Sequence, residues 1–489
     1  MSEATAATAP REAASPSSSK TNVLLLGSGA REHALAWKLR QSPSLGELWT
    51  DSPKNPGLAA LCRAADYQNI GRDTFPIENF CTKHRIGLVV IGPEEPLAAG
   101  LADALLGQRS AGDGIILNKA RPGMSAEEAT NLVIGGTVMN AAVQNVFGPV
   151  KAAARLEADK AFAKQLMRDA SIPTADARVF TDASNAKDYI ASRTDAYVIK
   201  AAGLAKGKGV FLPDSQADAA NIIDRIMLKK EFGDAGNTVL IEERLKGREV
   251  SVFALIDGRN ILLLDACQDH KRLLDNARGP NTGGMGALCP ARAIDERIMD
   301  RVLREVLVPT VDALRREGVE YRGVLYVGLM LTPAGPKVLE YNVRFGDPEC
   351  QVLMARMECD LVKVMLATSG GASGKTGAGQ GLDSVEIGFK PGASVCIVLA
   401  APGYPDDPKP GVPIHGVELA ERVPDVQVFH AGTRIDERGQ LVTAGGRVLS
   451  VTAHGASVDE ARQKAYQAAD MIEFAGKQMR RDIGTDVVG

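Results

Sequence analysis

No run of about 18 apolar residues occurs in the 489-residue chain, so nothing in it is long enough to cross a membrane as a helix. Charge of one sign is not in excess either. There are 57 Lys and Arg against 60 Asp and Glu, with a net charge of −3 and a pI near 6.2. A nucleic-acid binder would show a basic face and a high pI, so these totals argue against that class and leave room for a locally basic pocket. The cysteines (Cys62, Cys81, Cys267, Cys289, Cys350, Cys359 and Cys396) are scattered, odd in number and never spaced C-x-x-C. Such usage argues against a zinc site or a disulfide framework and favours reduced thiols in a cytosol. The six histidines include no H-E-x-x-H. The first twenty residues, MSEATAATAPREAASPSSSK, lack the apolar centre of a signal peptide and read as a disordered tail.

Hydrophobic residues at 45% and charged residues at 24% are ordinary for globular protein, and the length calls for about three or four domains. After the tail, 1–20, residues 21–150 alternate strand and helix. Buried strands are expected at Asn22–Leu26, Leu48–Thr50, Ile86–Ile91 and Ile115–Leu117, and a helix at Ala30–Arg40. This is the pattern of a doubly wound parallel α/β domain. Within it, about 109–144 carries a Ser125–Glu128 capping box and a Gly135-Gly136 break, and reads as an insertion without an assigned role. Residues 151–382 form a larger α/β body that begins with a helix over Lys151–Ala170. It holds a small lobe at about 178–243, with a helix over Ala217–Lys230, and ends in a loop at Gly370–Gly381. Residues 383–489 are rich in strand signals and close with a helix from about Val458, giving a small α+β domain.

The most informative stretch is Pro336-Lys-Val-Leu-Glu-Tyr-Asn-Val-Arg-Phe-Gly-Asp-Pro-Glu349, a strand that ends in a charged turn. Alternation places Glu340, Asn342 and Arg344 on one face and Leu339, Tyr341 and Val343 on the other. A carboxylate and an amide oxygen two positions apart suit a hard cation that keeps its waters and leans on phosphate oxygens. Arg344 can hold a carboxylate by a two-pronged hydrogen bond. By itself the stretch fits an amphipathic edge strand as well; other motifs tip the balance.

Val198-Ile-Lys200-Ala-Ala-Gly203-Leu-Ala-Lys206-Gly207-Lys208-Gly209 is the second anchor. Its glycines let backbone N–H groups close over a polyphosphate while the lysines offset its charge, and its spacing is not that of a P-loop. Thr238–Glu249 offers Leu245 as an apolar slot, backbone near Glu243 for an adenine edge and Glu249 for ribose hydroxyls. Gln268-Asp269-His270-Lys271-Arg272 and Gly279-Pro-Asn281-Thr282-Gly283-Gly-Met-Gly286 combine polar side chains with a loop that admits a small polar ligand closely. His270 has no neighbour at metal spacing and reads as a hydrogen-bonding residue. At the start, Gly27-Ser-Gly29-Ala-Arg31-Glu-His33 opens a helix that attracts anions. Glu32 stands where a dinucleotide fingerprint needs its third glycine, yet Asp51 sits near the place of a ribose-binding acid, so a dehydrogenase stays a rival. Ile91-Gly-Pro-Glu94-Glu-Pro-Leu97 brings a carboxylate to the same sheet edge.

GSGAREHALAWKL, IGPEEPL, QDHKR, GPNTGGMGA, GVLYVGLM and EYNVRFGDPE, in this order, resemble the phosphoribosylamine–glycine ligase (glycinamide ribonucleotide synthetase) family of ATP-grasp enzymes. The resemblance runs from about Thr21 to Gly484, the insertion apart. It implies an α/β and α+β multidomain protein: a doubly wound N-terminal domain, a central ATP-grasp fold with a mobile lid, and an α+β C-terminal domain. It also implies ATP-dependent ligation of glycine to 5-phosphoribosylamine through glycyl phosphate, in purine synthesis. On matching positions, Lys160 and Lys200 would bind ATP phosphates under a 203–209 lid loop. Glu242, Glu243, Leu245 and Glu249 would hold adenosine, and Glu340 and Asn342 would bind Mg2+ or Mn2+. Gly29, Arg31, Asn55 and Glu94 would help bind phosphoribosylamine, while Arg344, Asp347 and Asp269 would seat glycine.

Three departures stand out: Ala202 replaces the family's Asp, Lys54 stands in Pro53-Lys-Asn-Pro-Gly57, and the insertion enlarges the first domain. None removes a phosphate lysine or a metal ligand. The expected partners are small molecules, not nucleic acid or membrane, for a cytoplasmic monomer or weak homodimer. Another ATP-grasp ligase or carboxylase, and a nucleotide-binding regulator without chemistry, remain as alternatives.

Overall fold

A computed structural model of the protein describes residues 20–67, 74–107, 143, 145–205, 208–370 and 381–485. Ile115–Leu117, Ser125–Glu128, Lys206, Gly207, the first nineteen residues and nearly all of 109–144 lie outside the described residues.

Apolar runs build the first sheet. Thr21–Leu26 and Ile86–Ile91 are fully apolar on both faces in their central residues, as interior parallel strands require. Five parallel strands lie in the order Arg63–Ala64, Leu45–Thr50, Thr21–Leu26, Ile86–Ile91, Val146–Phe147. Helix Ala30–Leu39 packs on this sheet and starts beside its carboxyl edge.

Two four-stranded antiparallel sheets follow. The lid sheet runs Ala177–Phe180, Val239–Glu243, Tyr197–Ala201, Val210–Phe211. It has a core of its own around Ile199, Ile222, Ile226 and Ile241. The body sheet runs Ile261–Leu263, Arg248–Asp257, Arg322–Thr332, Gly335–Asn342. A further five-stranded sheet joins Gln268–Asp269 and Gly286–Cys289 to Ala393–Ala400, Arg447–Gly455 and Val426–His430. Chain from the central body and chain from the C-terminal part therefore share one sheet. Helix Val458–Met471 covers it with Ala461, Ala465, Ala468 and Ala469.

Local chemistry changed three elements from the sequence expectation. The helix expected over Lys151–Ala170 is two, Lys151–Ala158 and Lys160–Asp169, separated by extended Asp159 (φ −138°). The Asp159 carboxylate accepts the Phe162 N–H at 3.0 Å and caps the second helix, an alternative to helix that short acidic side chains offer. The helix expected over Ala217–Lys230 is Gln216–Ile223 followed by a wider turn, Asp224–Leu228. In Gly335–Asn342 the pairing slips between Gly328 opposite Glu340 and Leu329 opposite Val338, leaving Leu339 as a bulge. Val338 and Tyr341, three apart, therefore both enter the core, while Leu339 stays half-buried. The strand ends at Asn342, so Arg344 lies beyond it.

Candidate active site

The lid sheet and the body sheet meet over buried lysines. Lys200, near the end of Tyr197–Ala201, places its Nζ 2.8 Å from Glu242 Oε2 and donates to the Leu339 carbonyl at 3.1 Å. The bulge is what turns that carbonyl out. Glu242 also faces Lys164 at 3.4 Å, so its carboxylate is spent on two lysines within the protein. Burial brings Lys164 down to about 8 against the pull of Glu242. Lys160 opens its helix because Asp159 breaks the previous one. Its N–H reaches Ala202 O at 2.9 Å and its Nζ donates to Gly203 O at 2.9 Å. Burial lowers the Lys160 pKa while Glu340 raises it. Ala202, the residue that departs from the family pattern, thus contributes its backbone on both sides, accepting from Lys160 and donating to Thr238 O.

The lid loop beyond Gly203 is partly described. Gly203 N–H donates to Ala235 O at 3.1 Å, and a side chain there would press on Ala235. Gly209 accepts the Ala201 N–H at 2.9 Å, and Lys208 Nζ reaches across to Pro405 O at 3.2 Å. Along the opposite wall Glu243 is exposed and 3.5 Å from Lys337, Leu245 sits in the turn before Arg248–Asp257, and Glu249 lies 3.4 Å from Lys271.

Lys271 joins that wall to the acidic strand, 3.5 Å from Glu340 Oε1. Despite burial, Lys271, Lys200 and Lys160 hold the Glu340 carboxyl down at about 2, ionised at any ordinary pH. Asn342, the last residue of the strand, is buried beside it. One ionised carboxylate and one amide oxygen fit a divalent cation that draws its other ligands from phosphate and water. Among the described residues no group of three or more His, Cys, Asp or Glu could hold a metal unaided. The donor set therefore suits an ion carried in with a nucleotide.

Arg344 is enclosed by acids from two directions. Its Nη2 lies 2.7 Å from Glu157 Oε1, its Nε 3.2 Å from Glu94 Oε2, and its Nη1 donates to Phe345 O at 3.4 Å. These partners push its pKa up, and Arg344 in turn holds Glu94 down against burial. Glu94 opens helix Glu94–Ala99 at the edge of the first sheet, so this ion pair ties the first domain to the acidic strand. Nearby, Arg31 donates to Phe345 O at 3.1 Å and pairs with Glu32 at 2.6 Å. Glu32 curls back to accept the Gly29 N–H at 2.7 Å, so a carboxylate of the chain itself occupies the helix start. Gly27 (φ +112°) must be glycine there, since a Cβ would meet Glu32 and Pro93 at 2.8 Å. Glu32 thus fills the helix start and Asp51 accepts the Gly27 N–H at 3.1 Å, and both contacts count against a dinucleotide at this turn. Asn55 spends its side chain structurally. Oδ1 caps helix Pro56–Leu61 at the Gly57 and Leu58 N–H groups, while Nδ2 donates to Ser28 O at 2.8 Å and His430 O at 2.9 Å.

The remaining polar loop is pinned from the C-terminal part. Arg447 donates to Gly283 O at 2.6 Å and Asp347 O at 2.5 Å, with its other terminal nitrogen 3.4 Å from Asp347 Oδ2. Tyr404 Oη accepts the Gly283 N–H at 3.1 Å. Thr282 bonds Lys271 O through both its N–H and hydroxyl at 2.8 Å. Arg272 closes the hairpin on Gly279 O at 2.7 Å, opposite Asn281. His270 is buried against Gly286 O, a hydrogen-bonding residue as expected from sequence. Among the described residues the buried Asp269 Oδ1 has no hydrogen-bond partner, and burial together with Glu349 drives its pKa well up, offset in part by Lys271 and Arg447. Arg447 and Arg344 help hold Asp347 low.

Four residues of the site, Glu157, Glu349, Lys164 and Arg447, were not legible as such in the sequence. Glu349 accepts Tyr326 Oη at 2.8 Å and Ser251 Oγ at 3.2 Å from within the quoted FGDPE turn, so its neighbourhood was a signal. Arg447 follows the Ala444-Gly-Gly446 turn, a weaker one. Glu157 sits inside a helical pattern and carried no signal.

Two antiparallel sheets closing on phosphate-ready lysines, opposite an acidic strand with two oxygen donors, define an ATP-grasp enzyme. Family models for the phosphoribosylglycinamide synthetase N domain, ATP-grasp (A) domain and C domain match residues 21–116, 158–350 and 394–486. The chain belongs to the phosphoribosylglycinamide synthetase family. Among its relatives, the phosphoribosylamine–glycine ligase of Rhodopirellula baltica is 45% identical, over 95% of this chain and 97% of that one. The chloroplastic phosphoribosylamine–glycine ligase of Arabidopsis thaliana is 41% identical over 93% and 78%. The crystal structure of the Thermotoga maritima phosphoribosylamine–glycine ligase superposes with a TM-score of 0.71 at 32% identity, covering 94% of this chain and all of that one. The biotin carboxylase domain of Hydrogenobacter thermophilus 2-oxoglutarate carboxylase, solved with MgADP and bicarbonate, shares the fold (TM-score 0.64, 15% identity, 94% and 91% covered).

Proposed function

We infer that the protein joins glycine to 5-phosphoribosylamine, using ATP and a divalent metal ion, and that its product is glycinamide ribonucleotide in purine synthesis. The observation that carries this reading is the end of the acidic strand, where Lys160, Lys200 and Lys271 face Glu340, Asn342 closes the strand, and Arg344 follows just beyond it. The glycine carboxylate attacks the γ-phosphorus of ATP and ADP leaves. The amine of phosphoribosylamine then attacks the acyl carbon, phosphate departs, and the nitrogen gives up a proton. No protein nucleophile is needed. The work is alignment and neutralisation of charge.

Glu340 and Asn342 would hold Mg2+, or Mn2+ in its place, and the ion when bound screens the phosphate oxygens. Lys160 and Lys200 hold the phosphates, with Gly203, Lys208 and Gly209 covering them. Glu243, Leu245 and Glu249 line the adenosine side, with Glu242 keeping Lys200 in place. Arg344 receives the glycine carboxylate, assisted by Asp269, Asp347 and the Lys271–Gly283 loop. Gly29, Arg31 and Glu94 face phosphoribosylamine, and Asn55 shapes that wall. Closure of the lid excludes water from the acyl phosphate, and the Lys208–Pro405 contact supports a lid that meets the C-terminal part when shut.

We divide the chain at 21–150, 151–382 and 383–489, and place it in the cytoplasm as a monomer or weak homodimer. ADP release from the purified protein is the test. It should require glycine and phosphoribosylamine together with ATP; release at an undiminished rate with either omitted would remove the reading.

A further inference from the structure

Glu157 lies on helix Lys151–Ala158, outside every sequence motif, yet its carboxylate contacts the two residues that follow Asn342 at the end of the acidic strand. One oxygen accepts the Val343 N–H at 2.8 Å and the other faces Arg344 Nη2 at 2.7 Å. The residue is 8% exposed, and burial pushes its pKa up against the pull of Arg344. Burying a charge in this way is costly, and an apolar pair of similar size often serves stability as well. A positional return is therefore the better account of it.

The donor arithmetic shows what that return is. A guanidinium has five N–H donors. The hydrogen bonds of Arg344 engage one on Nε with Glu94, one on Nη2 with Glu157 and one on Nη1 with Phe345 O. Among the described residues that leaves one N–H on each terminal nitrogen, and the two oxygens of a carboxylate can accept one from each. Glu157 holds the shortest of the three contacts and, through Val343 N–H, also holds the main chain between Asn342 and Arg344. Two residues on, the break at Asp159 releases Lys160 toward the phosphate side, so one short segment serves both substrates.

We propose that Glu157 is a positioning residue for the acid substrate: it clamps Arg344 so that one N–H of each terminal nitrogen meets the carboxylate of glycine. This rests on the reading that Arg344 seats glycine. The variants Glu157→Gln and Arg344→Gln and their combination separate the two ideas, with KM for glycine and for ATP measured under saturation by the other substrates, and a melting curve for each. Glutamine keeps an acceptor for Val343 N–H and removes the charge from Arg344. Each single variant should raise the glycine KM by about 10- to 100-fold, the range for one charged hydrogen bond. The ATP KM should stay within about threefold, less than one such bond is worth. The double variant should be no worse than Arg344→Gln alone, because Glu157 acts only through Arg344.

An unchanged glycine KM in Glu157→Gln, beside a raised one in Arg344→Gln, overturns the positioning role and leaves the glycine site standing. Effects that add in the double variant, or that fall equally on ATP, overturn it as well and mark Glu157 as structural. An unchanged glycine KM in Arg344→Gln removes the underlying reading and the proposal with it. If Glu157→Gln does not fold, Glu157→Asp keeps the charge but shortens its reach, and the same selective rise in glycine KM is expected; its absence refutes the proposal.

Discussion

Replacing Glu340 by Gln alters one atom of the acidic strand and tests two consequences of its charge. Three lysines face this carboxylate and hold it at about 2, well below the 4.5 of an ordinary glutamate. A depression of that size corresponds to about 3 kcal/mol of stability, before the screening that a partly exposed group receives. The sign follows from the direction: the folded-state value is the lower one, so the contribution is full above about 4.5 and is lost as the pH falls toward about 2. Glu340→Gln should therefore melt lower than the parent protein at pH 7, with the gap narrowing as the pH drops below about 4.5. It should also release ADP about 10²- to 10³-fold more slowly, the range for losing one preorganised charge contact. Higher Mg2+ should recover part of that loss, because the amide retains one weaker oxygen donor. Melting curves across pH, with ADP release titrated against Mg2+, read both effects. Turnover within about threefold of the parent, far inside the loss expected of such a contact, would refute the assignment of this strand to the nucleotide-borne ion.

Other substitutions probe the surroundings. Lys200→Gln should lower turnover by about 10²-fold and raise the ATP KM, since it removes the proposed phosphate contact and leaves Glu242 with Lys164 alone; steady-state kinetics with varied ATP check this. Asp269→Asn should impair activity yet raise the melting temperature by a few degrees at pH 8, because burial and Glu349 make its ionised form unfavourable. The folded pKa is raised, so this gain should shrink as the pH falls, and thermal melts at pH 8 and pH 5 give the comparison. Asn55→Ala should cost about 2–4 kcal/mol, since buried Gly57 and Leu58 N–H groups and the Ser28 and His430 carbonyls lose their partner together. Chemical denaturation measures it, and a variant as stable as the parent would refute the structural reading of Asn55.

The centre of the first domain's sheet was legible because interior parallel strands are apolar on both faces, as residues 23–26 and 88–91 are, whereas the two-residue edge strands Arg63–Ala64 and Val146–Phe147 carry no such run. What alternation could not reveal was the bulge at Leu339, since one extra residue shifts the face of everything before it without altering composition. The break at Asp159 was hidden in a similar way. The flanking residues are good helix formers, and only the carboxylate bond to Phe162 N–H decides the matter. Among the site residues, the sequence grouped Lys200, Glu340 and Arg344 by motif but could not pair them. Arg344 meets Glu94 from 250 residues away and Glu157 from 187, and such partners leave no local pattern. Arg447 reaches Asp347 and Gly283 only because the C-terminal strands extend the sheet that begins with Gln268 and Gly286. Function was easier to read than geometry, since chemistry is written in short motifs and packing is not.

The central claim is that the acid substrate is activated by phosphorylation of its own carboxylate. Glycine labelled with 18O in both carboxylate oxygens, supplied with ATP and phosphoribosylamine, tests it directly. Attack on the γ-phosphorus followed by displacement at carbon must leave one labelled oxygen in each phosphate released and one in the amide product. Unlabelled phosphate, with one label in the amide product and the other lost to water, would contradict the account.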